Sequence, residues 1–79
     1  WRDIKVGPVP ADDVLNIDAS AFQSAQIRVS LYDFNGRLVY AGKQENGSFT
    51  LNTARFAAGN YLLALEGDAE HHFRQVMVK

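Results

Sequence analysis

Hydrophobic and polar positions alternate along most of this chain with a period of two, the period of a strand that buries one face. In Val14-Leu15-Asn16-Ile17-Asp18-Ala19, Leu15 and Ile17 share one face, with Asn16 and Asp18 on the other. In Gln26–Tyr32, Ile27, Val29 and Leu31 point inward while Arg28 and Ser30 point out. The turn Asp33-Phe34-Asn35-Gly36 follows, and its Asn-Gly pair tolerates the positive φ of a tight hairpin. The return strand reads Arg37–Ala41, and a second Asn-Gly, Asn46-Gly47, opens Ser48–Leu51, where Phe49 and Leu51 share a face. Asn52–Ala58 is too short for a stable helix. It reads as a crossing loop, with one helical turn at most, that carries Phe56 into the core and ends at Gly59-Asn60. Tyr61–Glu66 is apolar on both faces, as a central strand is, and His71–Lys79 closes the chain after the turn Gly67-Asp68-Ala69. At the front, Ile4-Lys5-Val6 reads as a short strand before Pro8-Val9-Pro10. Pro8 and Pro10 cannot donate ladder hydrogen bonds, so they mark an edge or a break. The pattern predicts an all-β fold, an immunoglobulin-like antiparallel β-sandwich of about seven short strands.

Composition narrows what such a sandwich can do. A chain of 79 residues is one domain. It buries only roughly 60% of its unfolded surface, so the core is thin and the stability margin small. The formal net charge is −1 with both signs dispersed, which argues against an electrostatic nucleic-acid binder, since that needs a basic face. There is no cysteine, hence no disulfide, zinc-thiolate site or cysteine nucleophile. No apolar run approaches the ~20 residues of a membrane-spanning helix. No signal peptide opens the sequence; if the protein leaves a cell, its export address must lie elsewhere in a longer parent or within the fold itself.

The candidate chemistry is sparse. His71 and His72 are the obvious metal ligands, but neighbours on a strand face opposite ways and the chain has no third histidine. Asp12-Asp13 and Asp33-Phe34-Asn35-Gly36 carry fragments of a calcium site, the second without later ligands or a closing glutamate, so a turn is the expectation there. The carboxylates are scattered, no serine sits in a Gly-x-Ser-x-Gly elbow, and Gly36, Gly42 and Gly47 fit turns and strand ends. Neither an enzyme nor a cofactor is expected. Trp1, Tyr32, Tyr40 and Tyr61 could form a sugar-stacking platform, with Tyr32 and Tyr40 neighbours across the hairpin; ordinary cross-strand packing is the expected reading. A sugar-binding or adhesive module of a surface enzyme is thus the alternative function, and a plain spacer domain a third.

Four segments taken together resemble the C-terminal sorting domain, type A, of the type IX secretion system of Bacteroidetes. Ile4-Lys5-Val6-Gly7-Pro8-Val9-Pro10-Ala11-Asp12-Asp13-Val14-Leu15-Asn16-Ile17 resembles the family's opening strand, Pro-x-Pro turn and second strand. Val29-Ser30-Leu31-Tyr32-Asp33-Phe34-Asn35-Gly36-Arg37-Leu38-Val39 resembles its Tyr-Asp-x-x-Gly-Arg hairpin. Ala58-Gly59-Asn60-Tyr61-Leu62-Leu63 resembles its Gly-x-Tyr segment, and Phe73-Arg74-Gln75-Val76-Met77-Val78-Lys79 its closing basic-hydrophobic strand. The order and spacing of the four, from Ile4 to Lys79, carry the resemblance. Val9 stands where the family usually has asparagine, and Arg74 where it usually has lysine.

The resemblance implies an address rather than a catalyst. Such domains end cargo proteins that cross the inner membrane by a separate N-terminal signal, pass through the periplasm, and are taken across the outer membrane to the cell surface or released. It implies two partners, the translocon and a surface sortase-like protease that cuts upstream, along with an attached N-terminal cargo. Residues 4–79 are then the sorting domain and 1–3 a linker remnant. The resemblance assigns Pro8, Pro10, Asn35, Gly36, Arg37, Gly59 and Tyr61 to the fold motif. It places recognition in Arg74, Val76, Met77, Val78 and Lys79. Strand physics agrees that an exposed edge can be read by strand addition, or can join two copies as a homodimer. In the last strand Phe73, Gln75, Met77 and Lys79 share one face, and Arg74, Val76 and Val78 the other.

Overall fold

The computed structural model describes residues 4–7 and 13–79, so Pro8, Pro10, Val9, Asp12 and Trp1 lie outside the described residues. Seven strands follow in order: β1 Lys5–Gly7, β2 Val14–Asp18, β3 Gln26–Tyr32, β4 Leu38–Glu45, β5 Ser48–Asn52, β6 Gly59–Glu66 and β7 His71–Val78. They form two antiparallel sheets, a three-stranded one in the order β1-β2-β5 and a four-stranded one in the order β4-β3-β6-β7. The inward residues of both sheets meet in one core. Leu15, Ile17 and Leu51 come from the first, and Ile27, Val29, Leu31, Leu63, Leu65, Val76 and Val78 from the second. Two layers closing on one apolar interior make the expected β-sandwich.

Alternation placed the faces of β2, β3 and β5 as expected, with Leu15 opposite Leu51 and Ile17 opposite Phe49. The doubly apolar β6 is central, flanked by β3 and β7. Its inward Leu63 and Leu65 are fully buried, while outward Ala64 is covered between Ser30 and Phe73 on the neighbouring strands. β4 differs from expectation. It runs on through Gly42, Lys43, Gln44 and Glu45, pairing with Val29 back to Gln26. An edge strand needs little apolar alternation, so its polar half carries no strand signal in sequence. Asn46-Gly47 then carries the chain from one sheet to the other. Asn46 N–H donates to Ala25 O at 2.9 Å, and Gly47 O accepts from Ala19 N–H at 3.0 Å.

The 53–58 crossing holds one turn, closed by Phe56 N–H donating to Thr53 O at 3.1 Å. Phe56 packs on the core as expected, its ring 5.9 Å from that of Tyr61. Gly59 and Asn60 do not end this loop; they open β6, opposite Val78 and Met77. Gly59 sits there at φ +152°, open on its Cβ side, so the backbone angle alone demands glycine. Gly59→Val should therefore lower stability by about 1–3 kcal/mol. A thermal melt checks this, and an unchanged midpoint would show that the angle relaxes at no cost.

The tyrosine platform does not form. The register places Tyr40 opposite Leu31, facing the core, and Tyr32 opposite Leu38, facing out. Because Tyr32 directly follows Leu31 on β3, strand alternation puts its ring on the face opposite Tyr40. Tyr61 is only 8% exposed, and its hydroxyl donates to Ala57 O at 2.6 Å.

Candidate recognition surface

β7 lies at one edge of the four-stranded sheet, paired along its whole length with β6 and with no strand on its other side among the described residues. The strand period divides its residues between two faces. Val76 and Val78 are each 2% exposed and belong to the core, whereas Met77 is 45% exposed. Arg74 also turns inward. Its Nη2 donates to Ile4 O at 3.1 Å, tying the last strand to the residue just before β1 in the other sheet. Of the five residues assigned to recognition, three therefore hold β7 in place, and Met77 and Lys79 are exposed. The outward row is extended by Phe73 and Gln75, as the alternation required. The sequence reading named this face, yet left Phe73 and Gln75 out of the recognition set.

His71 and His72 face opposite ways, His71 outward opposite Glu66 and His72 inward opposite Leu65. Burial, then the nearby positive charge of Arg74, push the His72 imidazole below its ordinary range. The fold thus disfavours charging His72, while the unfolded chain takes the proton at the ordinary pKa. Stability from this group is complete above about pH 6.5 and declines as pH falls below it. His72→Phe should flatten that decline, which melts across pH 5–7.5 would show; an identical slope in the variant would remove His72 as its source. Among the described residues no three histidine or acidic side chains gather to hold a metal.

The hairpin between β3 and β4 is organised by one carboxylate. Asp33 Oδ1 accepts from Asn35 N–H and from Arg37 N–H, each at 2.9 Å, and Oδ2 accepts from Arg37 Nε at 3.1 Å. The Arg37 backbone N–H is the largest of the effects that hold the Asp33 carboxyl below the usual carboxylate range. Gly36 takes φ +82° and donates its N–H to Asp33 O at 3.0 Å. Asp33 is thereby occupied by its own turn, which accounts for the aspartate without calcium. Asn35, Gly36 and Arg37 shape the hairpin, and Phe34 is left standing at its tip, 84% exposed. A phenylalanine inside a polar turn was the signal that could have singled it out; the sequence reading passed over it.

Phe34, Tyr32, Leu62, Phe73, Asn60 and Gln75 line an open groove of about 550 Å³ on the outer face of the four-stranded sheet. Leu38, Leu62 and Met77 are exposed on the same face. The opposite end of that face is charged. Arg28 Nη2 lies 3.7 Å from Glu66 Oε2, and Lys43 stands across from Arg28. The surface is therefore divided along the strands, apolar at the hairpin end and ionic at the other.

No curated protein matches the chain. Among solved structures it is similar to PorZ, an essential bacterial surface component of the type IX secretion system of Porphyromonas gingivalis. That likeness has 22% identity and a TM-score of 0.76, and it covers 96% of this chain and 11% of the PorZ chain. At this identity it shows the fold. Residues 5–79 match the family described as the secretion system C-terminal sorting domain. With nearly every residue inside that match, the chain belongs to the C-terminal sorting domain family and is a C-terminal secretion signal of the type IX secretion system.

Proposed function

We infer that this domain, residues 4–79, is read in its folded form by the outer-membrane translocon, and that the outer face and open edge of β7 are what the translocon meets. The cargo lies N-terminal to residue 4, passes through the periplasm, and is cut from the domain upstream by a surface sortase-like protease. One observation carries the reading: β7 is an eight-residue edge strand whose inward side chains lock it to the core while alternate side chains stay accessible. Such a strand can offer main-chain groups for pairing and side chains for selection at once. Arg74, Val76 and Val78 support the strand; Met77 and Lys79, with Phe73 and Gln75, touch the partner. That the chain spans 11% of PorZ fits an appended module. Family membership makes the domain a signal rather than an enzyme.

The test fuses the full chain to a periplasmic reporter in a type IX-competent strain. The fusion should appear on the surface or in the medium, and the reporter alone should not. Deleting Val76–Lys79 removes two core residues, so it confounds folding with recognition. A Met77→Glu variant is cleaner, because that side chain is exposed. It should keep its melting temperature and lose export; undiminished export would show that β7 is not what is read.

A further inference from the structure

The first and last strands meet across the sandwich. β1 lies at one edge of the three-stranded sheet, and β7 at one edge of the four-stranded sheet. Arg74 stands opposite buried Leu63, so it leaves the inner side of β7, and its Nη2 donates to Ile4 O at 3.1 Å. Ile4 immediately precedes β1, and its own side chain is 4% exposed in the common core. The front of the domain is thus held by the Ile4 side chain, by the bond from Arg74, and by a ladder of three residue pairs to β2.

The two strands are unequal. A three-residue edge strand has little pairing of its own, and such terminal elements open more readily than the body of a domain unless tied down. β7 is paired over eight residues with a central strand, and it sends Val76 and Val78 into the core. A hydrogen bond from a guanidinium is among the stronger kinds, and breaking it leaves a carbonyl without its donor beside buried side chains. The well-seated strand therefore steadies the weak one. Such coupling is reciprocal, so whatever unseats β7 also lowers the cost of opening β1.

The position of Ile4 gives this coupling a use. With the cargo N-terminal to residue 4, Ile4 stands beside the junction at which the cargo is cut, and a protease acts on a segment that has opened from its fold. We propose that Arg74 is a positioning residue for cargo release. Through Ile4 O it keeps the front of the domain closed while β7 is seated, and displacement of β7 opens β1 and gives the protease access to the junction. Cutting is thereby ordered after the last strand has been engaged. The role in release rests on the reading of the domain as a folded address, whereas the coupling itself is tested on the 79-residue chain alone.

Trypsin distinguishes the front from the whole. Cutting after Lys5 needs only β1 to leave β2, whereas cutting after Arg28, on central β3, needs the sandwich to open. An opening responds only to interactions that it breaks. Arg74→Met loses the donor and Arg74→Gln the reach, so both should speed cutting after Lys5 about tenfold, the effect of losing a hydrogen bond from a charged group. Arg74→Lys keeps a donor and should be cut at nearly the parental rate. Asp33→Ala is the control. It breaks hydrogen bonds in the hairpin on the far side of the sheet, none of them to the front, so it should speed cutting after Arg28 and leave Lys5 unchanged. Circular dichroism melts verify that each variant folds. An unchanged Lys5 rate in Arg74→Met and Arg74→Gln would overturn the coupling. A Lys5 rate raised equally by Asp33→Ala would also overturn it, because the front would then open only with the whole domain. In cells, the uncut pool of the exported reporter fusion should shrink for Arg74→Met; a pool of parental size, beside faster trypsin cutting, would overturn the role in cargo release. A wild-type fusion that is never exported overturns the address reading instead, and the trypsin rates are independent of that result.

Discussion

Val76→Asp should leave this domain unfolded at 37 °C, whereas Met77→Asp, one residue further on, should leave it folded with a melting temperature close to the parent's. The two positions differ only in which side of β7 they occupy. Val76 is 2% exposed, opposite buried Tyr61, and packed between the sheets; Met77 is 45% exposed on the outer face. A carboxylate at Val76 loses its water and gains no partner among core side chains, while the lost valine leaves its own deficit. Together these cost several kcal/mol, about 4 or more. A chain this short has a total stability of roughly 4–12 kcal/mol. The substitution thus consumes most or all of it. At Met77 the new carboxylate stays in water, and only a partial apolar contact is lost, at about 1 kcal/mol or less. Far-ultraviolet circular dichroism of the two variants reads the difference directly. Equal melting temperatures would mean that β7 is not seated as described, and its division into supporting and recognised residues would fall. The pair also sharpens the export experiment, because Met77→Asp removes an accessible side chain without touching the fold.

That division was legible before any coordinates, because a period of two is a property of backbone geometry. Ile27, Val29 and Leu31 could only be buried together, and so could Val76 and Val78. What alternation cannot tell is which strands share a sheet or which strand lies at an edge. The polar half of β4 has no alternation to display, and Gly59-Asn60 looked like a loop end because glycine and asparagine are loop residues more often than strand residues. The assignment of Arg74 to recognition followed from the resemblance to the family's closing strand. Its actual bond, to Ile4 O, crosses the sandwich between residues seventy positions apart, which no local pattern encodes. Phe34 was overlooked for the converse reason. The turn chemistry around it is so clear that the aromatic residue inside the turn drew no separate question.

Gly67 shows the same long-range dependence, and its substitution should have the second-largest effect. Gly67 follows β6, and a Cβ placed on it would run into Ser24 Oγ and, at 2.8 Å, Ser24 Cβ. Ser24 has no room to yield. Its Oγ accepts from Asp68 N–H at 2.8 Å and donates to Glu70 Oε2 at 3.3 Å, while Glu70 Oε2 also accepts from Gln23 N–H at 2.7 Å. Asn46 Nδ2 clamps the same segment from the other side, donating to Phe22 O at 2.7 Å and Ser24 O at 3.0 Å. Gly67→Ala must therefore displace a hydrogen-bonded serine. Overpacking of this kind costs about 1–3 kcal/mol, and each bond broken in the move adds about 1 kcal/mol. Ser24→Gly removes the obstructing atoms but forfeits the bonds to Asp68 and Glu70, for about 1–2 kcal/mol. The double variant should be more stable than the sum of the two predicts, by about 1 kcal/mol or more, because without the Ser24 side chain the clash of Gly67→Ala is absent. Urea unfolding of the four proteins closes the cycle. Strict additivity would place the strain of Gly67→Ala somewhere other than Ser24. The consequence reaches β7, since this network fixes the turn from which that strand departs: loosening it should raise hydrogen exchange at the His71 end of β7 before it disturbs the Val78 end.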